Sequence, residues 1–145
     1  MNIFDKVNVF DLKKAGLINL AVGGINVLIH ISVIAGLLPY MWVNGGRTES
    51  YEMACSISAS SIVVTLIGMF ITLVGAKIIP VKFNRFWGIA FTVLLMAMLP
   101  LAFVGVVQQF LGTLFEKGFC SILTIAGFLT SFRIAFEKRW PPKKG

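Results

Sequence analysis

Four uninterrupted apolar stretches constrain this chain more than any other feature of its sequence. They cover about 16–38, 53–79, 86–107 and 116–136, each close to the roughly 20 residues an α-helix needs to cross the hydrocarbon core of a bilayer. A water-soluble domain of 145 residues has too little interior to hide them, because 57% of the side chains are hydrophobic and only 13% are charged. The expected fold class is therefore an all-α membrane protein, a four-transmembrane-helix bundle forming a single membrane domain over 1–145. Residues 1–15 read as a short interfacial segment, with Ile3, Phe4, Val7 and Phe10 on an apolar stripe beside Asp5, Lys6, Asn8 and Asp11. The first apolar stretch is longer than the core of a secretory signal and lacks an Ala-x-Ala cleavage pattern, so it is expected to stay attached as an anchor. The tail 137–145 is basic, carries two prolines, and is expected to be disordered beyond Trp140.

The connections follow local turn chemistry. Pro39 and Pro80 stop the first two stretches, Asn44-Gly45-Gly46 allows the chain to reverse, and Pro100 is expected to bend the third helix without ending it. Eleven of the 13 basic side chains fall on one side of such a bundle: Lys6, Lys13, Lys14, Lys77, Lys82, Arg85, Arg133, Lys138, Arg139, Lys143 and Lys144. Arg47 and Lys117 fall on the other. By the positive-inside rule both termini and the central turn face the cytoplasm, and a bacterial inner membrane is the expected location. Tyr40, Trp42 and Tyr51 on the outer side, with Trp87 and Trp140 on the inner, stand where interfacial aromatics belong. The bases flank apolar blocks and form no aromatic-interleaved stripe, so their partner is the lipid bilayer and no nucleic acid is expected.

Polar residues within the apolar stretches keep helical spacing. Asn19, Gly23, Asn26 and His30 share one face of the first, and Ser58, Ser61, Thr65, Gly68, Thr72 and Gly75 share one face of the second. Cys120, Thr124, Gly127 and Ser131 do so in the fourth. Groups that form hydrogen bonds are costly against lipid, so these faces are expected to pack against one another or to line a hydrated cavity. His30 has two readings: a neutral ring bonded to a hydroxyl of the second helix, or a proton relay with Glu49 or Glu52.

The outer loop from Tyr40 to Glu52 holds the densest polar and aromatic chemistry in the chain. Thr48 or Ser50 is expected to cap the second helix, with Glu49 and Glu52 favouring its positive end. A ligand site is the competing reading, with Asn26, His30, Trp42, Asn44, Arg47, Glu49, Tyr51 and Glu52 as its candidate residues. Cys55 and Cys120 both fall early in helices that start from the outer side, and either pair as a disulfide or remain separate buried thiols. One histidine and no Cys-x-x-Cys give no metal or haem signature, and no cofactor is expected. The two halves also echo each other: Tyr51-Glu52 precedes Cys55-Ser56-Ile57, and Phe115-Glu116 precedes Cys120-Ser121-Ile122, with one residue more in the second gap.

Several four-helix families lack their defining residues here. Small multidrug exporters carry a glutamate in the first helix, quinone-linked thiol oxidases and vitamin K epoxide reductases a Cys-x-x-Cys, and glutathione-transferring membrane enzymes a Glu-Arg and Asn motif in the second helix. In overall layout, from Asn44-Gly45-Gly46-Arg47 to Phe115-Glu116-Lys117, the chain resembles small bacterial membrane proteins of the DoxX-like four-helix type. The resemblance implies a compact bundle and brings no catalytic residues. The function expected from all this is non-enzymatic: binding of a lipid, a quinone or another small amphipathic molecule, or of a membrane protein partner or second copy, in an outward-facing cavity. The alternatives are proton-coupled transport through His30 and a thiol-redox accessory role for Cys55 and Cys120.

Overall fold

The computed structural model describes Lys6 and residues 9–141. Residues 1–5, 7 and 8 of the expected interfacial segment, and the tail beyond Pro141, lie outside the described residues, and residues 12–15 of that segment belong instead to the first helix. Four helices carry the fold: α1 (Leu12–Ile34), α2 (Tyr51–Gly75), α3 (Arg85–Phe110) and α4 (Ser121–Ala135), the last preceded by a π turn at Glu116–Cys120. With that turn included, all four are long and apolar enough to cross a membrane, and the described residues contain no strand.

Each of the first three helices starts at a side-chain cap of the kind its sequence announces. Asp11 accepts from the backbone N–H of Lys14 at 2.8 Å, Ser50 from that of Met53 at 3.2 Å, and Asn84 from that of Trp87 at 2.9 Å. α1 and α2 end alike, five residues before Pro39 and Pro80, where the sequence alone extended both. In α1 the Gly36 N–H bonds to Val33 O and the Leu37 N–H to Ser32 O; in α2 the Lys77 N–H bonds to Val74 O and the Ile78 N–H to Leu73 O. These are two Schellman closures, with Gly36 (φ 72°) and Lys77 (φ 57°) in the left-handed position. The prolines therefore follow helices that have already ended. α3 runs unbroken through Pro100.

The π turn has a counterpart in the sequence. Its Ser121 N–H reaches Glu116 O, five residues back, so the turn absorbs one residue beyond α-helical spacing. That is the extra residue separating Glu116 from Cys120 relative to Glu52 and Cys55.

α1 packs along α2 on one side and α4 on the other, and α4 packs along α3. α2 and α3 do not pack along their lengths; they approach at the end carrying the termini, where Leu95 lies beside Gly75. That basic end holds one apolar cluster, built on Ala15, Ala76, Leu95, Ile134 and Ala135. The opposite end, which carries the 40–50 loop, holds a smaller one of Val33, Val43 and Ala54, with Phe115 against it. The distribution is inverted relative to a soluble protein. Val64, Phe70 and Leu101 are 69%, 61% and 72% exposed, while Ser58, Thr92, Ser121 and Thr130 are buried. Such an arrangement is compatible with a helical bundle whose solvent is lipid.

A charged network closes the basic end. Glu137 accepts from Arg133 at 2.9 Å and from Lys77 at 3.2 Å, and Arg133 Nε donates to Phe10 O at 2.6 Å. Burial by itself would raise the Glu137 carboxyl, but the hydrogen bonds from Arg133 and Lys77, with their charges, outweigh it and hold the group below the ordinary carboxylate range. Because the folded value is the depressed one, the stabilisation is complete above the ordinary value of 4.5 and is lost as pH falls through the folded value. Thermal unfolding in detergent between pH 7 and pH 3 should therefore show a loss of stability in acid that is smaller in Glu137→Gln.

Candidate functional site

The polar stripes of α1, α2 and α4 meet as a ladder of hydrogen bonds. At the outermost rung, His30 Nδ1 and Ser58 Oγ are 3.0 Å apart, both side chains buried. In the middle, the Asn26 amide donates to Thr65 Oγ1 at 2.9 Å. At the innermost rung the Asn19 amide donates to Thr130 Oγ1 (2.9 Å), Ser131 Oγ (3.0 Å) and Gly127 O (3.1 Å), and its oxygen accepts from Thr72 Oγ1 at 2.9 Å. Asn19 thus ties α1 to both neighbours. Apolar helices gain nothing hydrophobic by associating in lipid, so such side-chain bonds and close packing hold them together.

The ladder forms one wall of a cavity of about 530 Å³. Gly68 and Met69 of α2, Met98, Ala102 and Gly105 of α3, and Leu123 and Phe128 of α4 line it as well. A Cβ built on Gly68 or Gly105 would meet nothing within 4 Å, so these glycines face open space and serve no helix contact. The cavity lies where α2 and α3, which come together at Gly75 and Leu95, do not pack on one another. A second groove of about 440 Å³ continues from it over Ser56, Ser60 and Ser61, sharing Asn26 and His30.

The loop folds over the outer end of this cavity. Asn44, Gly45 and Gly46 all take left-handed backbone angles (φ 56°, 69° and 67°), turning Val43 and Asn44 inward. Glu116 anchors the fold-over: its Oε1 accepts from the Gly45 N–H at 2.9 Å and from the Thr113 N–H at 3.2 Å. The side chain is buried and lines the cavity. Beside it, Asn44 Nδ2 and Gln109 Oε1 are buried without a hydrogen-bond partner. Trp42 packs on Phe115 at 5.8 Å between ring centroids, fixing the outer side of the loop.

The residues singled out from the sequence divide into groups. Asn26, His30 and Asn44 line the cavity together. Arg47 lines an adjoining groove of about 250 Å³ that shares Asn44, Gln109 and Glu116 with the cavity. Trp42, Glu49, Tyr51 and Glu52 are exposed on the loop and the first turn of α2, where Ser50 is the cap. The Tyr51 hydroxyl donates to Ile34 O, tying the start of α2 to the end of α1. Of the α2 stripe, Ser58, Thr65 and Thr72 bond to α1, Gly68 and Ser61 face open volume, and Gly75 packs on Ile134 of α4. Cys55 and Cys120 are both free, Cys120 lining the cavity one turn after Glu116. The described residues contain no group of three metal-ligating side chains.

Glu116 and Gln109 are the functional candidates that sequence reasoning missed. The signal was present for Glu116, an acidic residue at the start of an apolar span. Compared with protein-family models, with curated proteins and with solved structures, the chain matches none.

Proposed function

We propose that this protein is an integral membrane bundle that binds a small amphipathic molecule in the cavity between its helices. The single observation behind this reading is the cavity itself: about 530 Å³, within the roughly 300–1,000 Å³ range of small-molecule sites, with apolar walls and a few convergent polar groups. Its chemistry is binding chemistry. No side chain that lines it is arranged as nucleophile, base and oxyanion donor. The positive-inside rule orients the basic end and both termini toward the cytoplasm and the loop end outward, in a bacterial inner membrane. The gap between α2 and α3 then gives the ligand an entry from the outer leaflet.

The test fills the cavity without touching its polar groups. Gly68→Leu combined with Gly105→Leu places side chains into open space, and removing two helical glycines favours the helices. A 12-carbon alcohol carrying a photoactivated diazirine should label peptides around Met69 and Met98 in the wild-type protein. In the filled variant that labelling should drop by about tenfold, the loss of roughly 1.4 kcal/mol of binding. Equal labelling of the two proteins would remove the proposal.

A further inference from the structure

Resting on that cavity reading, we propose that the outer pole of the cavity selects a cationic headgroup, a protonated amine carried on an apolar chain. Glu116 is the only carboxylate lining the cavity, and no Lys or Arg lines it. Among the described residues the ion pairs are those of Glu137 with Lys77 and Arg133, so Glu116 has no cationic partner. Arg47 is exposed, its side chain folds against Gly45, and although it shares a groove with Glu116, Gln109 and Asn44 it makes no ion pair with Glu116.

The hydrogen-bonding inventory points the same way. Both bonds from Gly45 and Thr113 go to Oε1, and Oε2 accepts none among the described residues. Gln109 Oε1 is a buried acceptor without a hydrogen-bond partner. An ammonium group has three N–H donors and no acceptor, so it can satisfy both oxygens at once. A hydroxyl brings one donor and a carboxylate brings none. The unpartnered Asn44 Nδ2 would take an oxygen carried next to the amine, as in an amino alcohol. With Glu116 largely out of water, an ammonium supplies a Coulombic attraction that a hydroxyl lacks, set against the cost of its own dehydration.

The same headgroup occurs on a free amphiphilic amine and on phosphatidylethanolamine, and the experiment separates the two. Diazirine-tagged dodecylamine, dodecanol and dodecanoate are compared on the full chain in detergent, using the filled Gly68→Leu, Gly105→Leu protein as reference. The amine should label about tenfold more strongly than the alcohol, and the carboxylate least. Glu116→Gln retains an oxygen for the Gly45 and Thr113 N–H groups and should reduce the amine preference to about threefold or less, leaving alcohol labelling intact. Should that variant fail to fold, Gln109→Leu, which makes no bond to the loop, should reduce the preference in the same direction. In nanodiscs, competition by phosphatidylethanolamine but not phosphatidylcholine identifies a lipid headgroup, and no competition by either identifies a free amine. Equal labelling by amine and alcohol in the wild type, or a preference unchanged in both variants, would overturn the headgroup assignment and leave the cavity standing. Labelling by every probe that ignores the filled cavity would overturn the cavity reading itself.

Discussion

Arg139→Ala is expected to lower the unfolding free energy in a detergent-to-SDS titration by about 3 kcal/mol, the scale of losing two or three charge-assisted hydrogen bonds to buried acceptors. Arg139 is 8% exposed although it lies past the last helix. Its NH2 donates to Gly75 O at 2.8 Å and to Ile134 O, its NH1 donates to Glu137 O at 2.9 Å, and its guanidinium lies 5.6 Å from the Phe91 ring centroid. One side chain thus joins the ends of α2 and α4 to the first turns of α3. Burial pushes the guanidinium down to about 10, with Glu137 opposing that shift and Arg133 adding to it, so the group stays charged at neutral pH. A buried charge is costly in itself, and replacing one by an apolar residue of similar volume is often neutral. Here the acceptors decide the sign. Gly75 O stands at a helix C-terminus, where carbonyls lack backbone partners and a cation is favoured by the helix dipole. Arg139→Met keeps the apolar stem over Phe91 but donates nothing, and should lose roughly 2 kcal/mol. If Met matched the wild type, packing rather than hydrogen bonding would be the source of the stability.

The contrast between what could and could not be read from the sequence has a physical basis. Helix existence was legible because it depends on local apolar length, and the cap Ser50 was legible because its chemistry reaches only three residues ahead. The ladder was half legible. Spacing put Asn19, Asn26 and His30 on one face and Ser58, Thr65 and Thr72 on another, but nothing local says that these faces meet in that register. Helix ends were misread because the stop was assigned to Pro39 and Pro80, whereas Gly36 and Lys77 close the helices through backbone bonds. A lysine at such a position gives no turn signal. The candidate site was least legible. Asn44 and Glu116 lie 72 positions apart and meet only because the loop folds across the bundle. Gly68, read as a packing residue, faces open volume because α2 and α3 do not pack on one another there, which no pattern within α2 reveals.

α2 does not pack along α3 and is held mainly through α1, and Gly16 marks a close contact between α1 and the end of α2. A Cβ built on Gly16 would overlap the Cβ of Ala76 and come within 3.2 Å of Ile78 Cδ1. Ala76 is fully buried and caps α2, so neither backbone can retreat without disturbing the Schellman closure beside it. Gly16→Ala should therefore cost about 1–3 kcal/mol, as overpacking does in close-packed interiors, despite the better helix propensity of alanine. Gly16→Val should cost more, since branching adds bulk where no side chain can yield. The discriminating measurement is the double variant. Gly16→Ala with Ala76→Gly exchanges the methyl group across the contact and preserves its volume, so stability should return to within about 1 kcal/mol of the wild type. The coupling energy of the cycle should be about 1–3 kcal/mol in the stabilising direction. A coupling near zero would mean that α1 and α2 do not touch at this point.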